Sequence, residues 1–160
     1  MILKLDKIDL GILAALQRNG RMSKLKLAEA VNMSPAACWE RLRRLEQAGV
    51  IRGYTVLLNR QQFKRLTTVL VQVTLKSHRQ SDFQRFEAAM LEEPAVVQCD
   101  ATGGGIDYIL RIHSPDIDAY QRLIDKFLAA DIGIDRYFSY VVTKPVKSTE
   151  ISVLDLQPEV

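Results

Sequence analysis

The sequence predicts an α+β protein in two parts, a small helical module followed by a sheet that carries helices, and three observations lead there. Apolar residues recur at helical spacing up to about residue 50 and alternate in segments after residue 66. The segments of the second part follow the order β-α-β-β-α-β. The charge divides at the same place: residues 1–65 hold 13 Lys or Arg against 5 Asp or Glu, while residues 66–160 hold the remaining 9 basic and 14 acidic residues. The net charge of +3 therefore hides a basic first part and an acidic second one. Only the first part carries a field that attracts a polyanion.

The first helix is predicted in "LDKIDLGILAALQRNG". Asp6 is its cap, Asp9 stands three residues on, Ile8, Ile12, Leu13 and Leu16 form the apolar stripe, and Gly20 follows it. "SKLKLAEAVNM" gives the second, with Ser23 as cap, Leu27, Ala28 and Val31 as stripe, and the small Ala28 where two helices would cross. Asn32 and Met33 make a short break. "SPAACWERLRRLEQAGV" gives the third: Ser34 caps, Pro35 suits the first turn, and Gly49 suits the position past the end. Cys38, Leu42 and Leu45 share its buried face. Ala36, Ala37, Glu40, Arg43 and Arg44 fall opposite, with Trp39 and Arg41 at the borders. An arginine-rich outer face is often only a solvated face. Here it ends a helix–turn–helix plan whose last helix would lie in a DNA major groove, where small residues allow close approach and arginine suits phosphate and guanine edges.

The second part opens with "TTVLVQVTL", a strand with Val69, Val71, Val73 and Leu75 on one face. "SDFQRFEAAMLEE" is a helix with Ser81 as cap, a stripe of Phe83, Phe86 and Met90, and Pro94 as its stop. "AVVQCDA" and "IDYILRI" are strands joined by "TGGG". Ser114 and Pro115 open a helix with the stripe Ile117, Tyr120, Ile124, Phe127 and Leu128, and "DRYFSYVVTK" supplies the last strand. This is the split arrangement of a ferredoxin-like sheet with two helices on one face. The other face would expose Leu70, Ile109, Phe138, Tyr140 and Val142. So apolar a surface asks for cover, and a second copy of the chain is the expected partner.

Composition bounds the function. With 48% hydrophobic and 26% charged residues the chain is globular, since disordered chains lack that apolar content. No apolar run approaches the ~20 residues of a membrane span, and the N-terminus lacks the core of a secretion signal. Cys38 and Cys99 are far apart and read as buried thiols of a reducing compartment, so the expected location is the cytoplasm. His78 and His113 have no metal-like spacing with each other or with Cys99, so no metal and no cofactor is expected. Asp6 and Asp9 are explained as a cap and a first-turn acid. No Ser-His-Asp or Cys-His arrangement is legible, which argues against an enzyme.

Gly103, Gly104 and Gly105 join two antiparallel strands and open no helix, so they do not form a nucleotide loop. Two readings remain. One is a hairpin turn needing positive φ. The other is an amino-acid pocket, in which exposed N–H groups hold a carboxylate and Asp107 takes the ammonium.

The segments "LDKIDLGILAALQRNGR", "LAEAVNMSPAACWERLRRLEQAGVIRGY", "GGIDYILRI" and "VVTKPVKSTEIS" resemble the leucine-responsive/asparagine regulator (Lrp/AsnC) family of transcription factors, over nearly the whole chain. The resemblance implies a winged helix-turn-helix domain over 1–52, a strand linker over 53–65, a ferredoxin-like effector and assembly domain over 66–145 and a tail over 146–160. It implies a homo-oligomer, a dimer of dimers or an octamer, that binds double-stranded DNA and responds to an amino acid. DNA contacts would fall on Ser34, Pro35, Ala36, Ala37, Trp39, Glu40, Arg41, Arg43 and Arg44, with Ser23 on the preceding helix. The effector would sit at a subunit boundary, on Ala101, Thr102, Gly103, Gly104, Gly105, Asp107 and Tyr108, with Tyr140 and Val142 completing the pocket from a neighbour. Pro145 departs from the acidic residue of many members. An enzyme remains the rival, because some tetrapyrrole (sirohaem-type) decarboxylases share this plan. An assembly protein with a vestigial DNA module is a third reading.

Overall fold

The computed structural model describes residues 4–58, 66–147 and 152–155. Close packing divides the chain into two units, one of residues 1–58 with 147–160 and the other of residues 59–146.

The first unit holds α1 (Lys7–Arg18), α2 (Lys24–Ala30) and α3 (Pro35–Gln47). Each helix starts where a side-chain oxygen can take an otherwise unpaired amide. Asp6 accepts from the N–H groups of Ile8 and Asp9, and Asp9 answers by accepting from the Asp6 N–H, a complete capping box. Ser23 and Ser34 cap the other two helices through Lys26 and Ala37. Asn32, in the turn between α2 and α3, has φ 53°, a left-handed conformation that Asn tolerates. Gly49 ends α3 at φ 71°. Ile12, Leu13, Ala15, Leu27, Ala28, Cys38, Leu42 and Leu45 make the core, joined by Val153. The Val153 N–H donates to Gln17 Oε1 at 2.7 Å.

The second unit runs β1 (Thr67–Leu75), α4 (Gln80–Glu92), β2 (Val96–Ala101), β3 (Tyr108–Ser114), α5 (Ile117–Ala129) and β4 (Ile134–Val141). The sheet order is β2-β3-β1-β4, all neighbours antiparallel, as a ferredoxin-like sheet requires. The alternation of β1 puts Val69, Val71, Val73 and Leu75 into the core with Tyr108, Leu110 and Ile112 of β3. Phe86 and Met90 of α4, and Tyr120, Ile124 and Phe127 of α5, cover them. Burial of each such side chain contributes about 1.5–3 kcal/mol. The Tyr120 hydroxyl meets the Ser139 hydroxyl, and Lys126 of α5 pairs with Glu93 at 2.8 Å.

Four sequence expectations change. α4 begins one residue before Ser81, and its N-cap Arg79 makes no side-chain cap bond. α5 is capped by Asp116 through the Ala119 N–H, while Ser114 ends β3. Ile117 and Leu128 lie outside the narrow stripe of Tyr120, Ile124 and Phe127 and stay 47% and 44% exposed. Residues 53–58 of the expected strand linker form no strand, and no strand among the described residues pairs with them; residues 59–65 lie outside the described residues. No described helix is long and apolar enough to cross a membrane.

Candidate functional site

Two places carry chemistry, one in each unit. The first is the outer face of α3. Burying Cys38, Leu42 and Leu45 turns Ala36, Ala37, Glu40 and Arg43 outward. Ser34 and Pro35 stand at the start of the helix, and Ser23 at the start of α2. Lys24 of α2 lays its ammonium 3.2 Å from the centroid of the Trp39 ring, so Trp39 joins the two helices while remaining 39% exposed.

The arginines part company. Arg43 is exposed and has no partner among the described residues. Arg41 and Arg44 reach back to the start of α1. Arg41 Nη1 lies 2.6 Å from Asp6 Oδ2 and 2.9 Å from Asp9 Oδ1, and Arg44 Nη2 lies 2.6 Å from Asp9 Oδ2. Asp9 is fully buried. The Asp9 N–H and Arg41 hold the Asp6 carboxyl below the usual carboxylate range. The capping roles expected of Asp6 and Asp9 hold, and these ion pairs, 32 to 35 residues apart in sequence, are added to them.

The second place is the hairpin between β2 and β3. Asp107 and Ile106 precede β3 and belong to the turn. Thr102 closes that turn, its N–H donating to the Asp107 carbonyl and its hydroxyl to the Ile106 carbonyl. Gly104 takes φ 139°, which a side chain rarely adopts. The described hydrogen bonds use none of the N–H groups of Gly103, Gly104 or Gly105. Asp107 is fixed from two sides: Oδ2 accepts the Leu75 N–H at 2.7 Å, and His78 Nε2 lies 3.0 Å from Oδ1. Beside it opens a concavity of about 330 Å³ lined by Phe83, Glu87, Ala101, Thr102, Asp107 and Tyr108. A wider trough of about 430 Å³ shares Glu87, Ala101 and Tyr108 and continues between α4 and β2 along Met90, Val96 and Val97. Glu87 accepts the Tyr108 hydroxyl at 2.7 Å; burial first, and that carboxylate second, push the phenol pKa well up. Burial, then Glu87 and Asp100, push the Cys99 thiol up to about 11.

Ala101, Thr102, Asp107 and Tyr108 thus come together as expected, with the glycines beside them. Tyr140 and Val142 do not join them within one chain. Tyr108 points to the helix side of the sheet, whereas Tyr140 lies on the open side, where its hydroxyl reaches Gln72. His78, Phe83 and Glu87 were missed by the sequence reading. Phe83 and Glu87 are four apart on α4, and that spacing was the available signal. The open face carries Phe138 and Tyr140, 53% and 51% exposed, beside the half-buried Leu70, Ile109 and Val142.

Comparison with known proteins follows the same division. A family model described as a winged helix-turn-helix DNA-binding domain matches residues 5–52, and one described as the Lrp/AsnC ligand-binding domain matches residues 68–151. The transcriptional regulatory protein DoeX of Halomonas elongata is 53% identical over 156 residues, 96% of this chain and 99% of that protein. The leucine-responsive regulatory protein of Escherichia coli K12 is 37% identical over 150 residues, 94% of this chain and 92% of its own. Among solved structures, a transcriptional regulator from Neisseria meningitidis in complex with L-Met superposes with a TM-score of 0.82 at 32% identity, over 91% of this chain and 94% of that one. E. coli AsnC shares the fold, with a TM-score of 0.83 at 23% identity.

Proposed function

From the premise that the chain belongs to the Lrp/AsnC family of DNA-binding transcriptional regulators, we propose how its two sites divide the work. The family decides against the decarboxylase reading; the chain is a regulator with a DNA-binding unit and an effector-binding unit. The proposal concerns the residues. The outer face of α3 enters the major groove, with Arg43 at base edges, Ser34 and Ser23 at the backbone, and Pro35, Ala36, Ala37, Trp39 and Glu40 lining the approach. Arg41 and Arg44 hold α3 to α1.

The effector is an amino acid at the β2–β3 hairpin. Its ammonium goes to Asp107, whose field Glu87 reinforces, and its carboxylate goes to the unused amides of Gly103, Gly104 and Gly105. Its side chain lies along Phe83 and the apolar trough. The observation that carries this reading is the concavity at Asp107, where a fixed carboxylate and an aromatic wall converge beside the glycine turn. The L-Met complex of the Neisseria relative supports the ligand class.

The pocket is shallow, so a neighbouring copy completes it, and residues of the open face such as Tyr140 and Val142 serve that assembly. The chain pairs with a second copy through that face. A thermal-shift screen of the twenty amino acids tests the reading, since a ligand of the folded state raises Tm. A stabilising amino acid whose effect survives in Asp107→Asn would place the effector elsewhere.

A further inference from the structure

We propose that Asp9 is a specificity-determining residue for DNA reading: it locks Arg41 and Arg44 into a neutral cluster and so withholds both from phosphates. This rests on α3 being the reading helix. Two guanidinium groups and two carboxylates meet there. Asp9 Oδ1 accepts from Arg41, Asp9 Oδ2 accepts from Arg44 and from the Asp6 N–H, and Asp6 Oδ2 accepts from Arg41. Their charges cancel. The cluster therefore adds rigidity between α1 and α3 and little field toward DNA.

Burial makes the arrangement one-sided. Asp9 has no exposure, so the loss of a partner leaves a buried charge uncompensated, the costly way to break an ion pair. Arg41 and Arg44 keep 28% and 44% of their side chains exposed and would reach phosphates readily if released. A screened contact in water returns less than the buried pair loses. Both arginines stay with Asp9, and reading falls to Arg43. Phosphate contacts strengthen binding to every sequence alike, so withholding two of them lowers random binding and leaves base contacts a larger share of the affinity.

Salt dependence separates this role from a merely structural one, because the slope of log K against log salt counts phosphate contacts and is indifferent to helix stability. The full chain is titrated on a random-sequence duplex and on a duplex that the unaltered chain has selected from a random pool. Arg44→Gln should leave both slopes unchanged. Asp9→Asn, which preserves shape and removes the charge, should steepen the slope by about 0.9 for each arginine released and shrink the preference for the selected duplex several-fold. A slope flattened by about 0.9 in Arg44→Gln would overturn the proposal, since Arg44 would then already touch phosphate. Equal weakening on both duplexes with an unchanged slope in Asp9→Asn would overturn it too. Should Asp9→Asn fail to fold by circular dichroism, the Arg44→Gln slope decides alone. Arg43→Ala keeps the two ideas apart: a loss confined to the selected duplex upholds α3 as reader whatever happens at Arg44, and no loss overturns the reading and this proposal with it.

Discussion

Truncating Phe138 to alanine tests the assembly surface, and its size can be worked from exposure. An aromatic side chain buries on the order of 150–250 Å² when fully covered, and Phe138 is 53% exposed, so about 100 Å² remains for a partner to cover. At about 25 cal/mol/Å² that is about 2.5 kcal/mol per copy. A two-fold contact contains the residue twice, which brings the loss to about 5 kcal/mol of dimerisation free energy. The translational and rotational cost of association is common to both proteins and cancels in the difference. The dissociation constant should rise by roughly three to four decades, because each 1.4 kcal/mol is tenfold. Phe138 lies outside the single chain's core, so its own fold should lose about 0.5 kcal/mol or less. Light scattering and sedimentation equilibrium over a dilution series measure the change. An unaltered chain that is monomeric at micromolar concentration, or a variant that dissociates no more readily, would refute the reasoning.

Other outcomes follow from the same geometry. Arg43→Ala should cost about 1–3 kcal/mol on a selected duplex by fluorescence anisotropy, and an equal loss on random DNA would mark a phosphate contact instead. Asp107→Asn should abolish the effector's calorimetric signal while DNA affinity without effector stays; loss of both would make Asp107 structural. Asp6, Glu93 and Asp131 have carboxyl pKa values lowered from 3.8, 4.5 and 3.8, chiefly by the Asp9 amide, Lys126 and Lys76 respectively. A carboxylate depressed on folding stabilises fully above its unfolded value and loses that contribution as pH falls through the folded one. Tm should therefore hold near neutrality and fall below about pH 4, and a flat Tm down to about pH 3 would contradict these pairs. Burial raises both thiols, Cys99 to about 11, so iodoacetamide at mildly alkaline pH should label the native chain slowly and the denatured chain fast.

What was legible in the sequence is what depends on neighbours in the chain. Asp6, Ser23 and Ser34 announced their helices because a cap needs only the next three residues, and β1 could be read to its ends because its alternation is unbroken. α4 began without a side-chain cap, so Ser81 drew its start one residue late. β3 began two residues after Ile106 because the turn retained Asp107. Long-range polar contacts gave no signal. Nothing in "LDKID" says that its second aspartate, a fitting first-turn acid, will be buried under two arginines of a later helix. The pocket divided similarly: its loop stood out by its glycines, whereas Phe83 and Glu87 looked like one more amphipathic helix until the fold brought α4 beside the hairpin.

The least legible feature is the end of the DNA unit itself. Its core contains Val153, which is 8% exposed, and the neighbouring bond to Gln17 spans 136 residues of chain. Closing so long a loop costs little more than closing a short one, since the entropy grows only with the logarithm of length. The buried valine, contributing about 1.5–3 kcal/mol, and the amide bond offset part of the entropy lost in ordering the segment. Residues 1–52 carry the helices, but the packing of that unit also draws on residues 152–155, which follow the last strand of the sheet unit in sequence. The effector unit is thus an insertion between two parts of the DNA unit's own core.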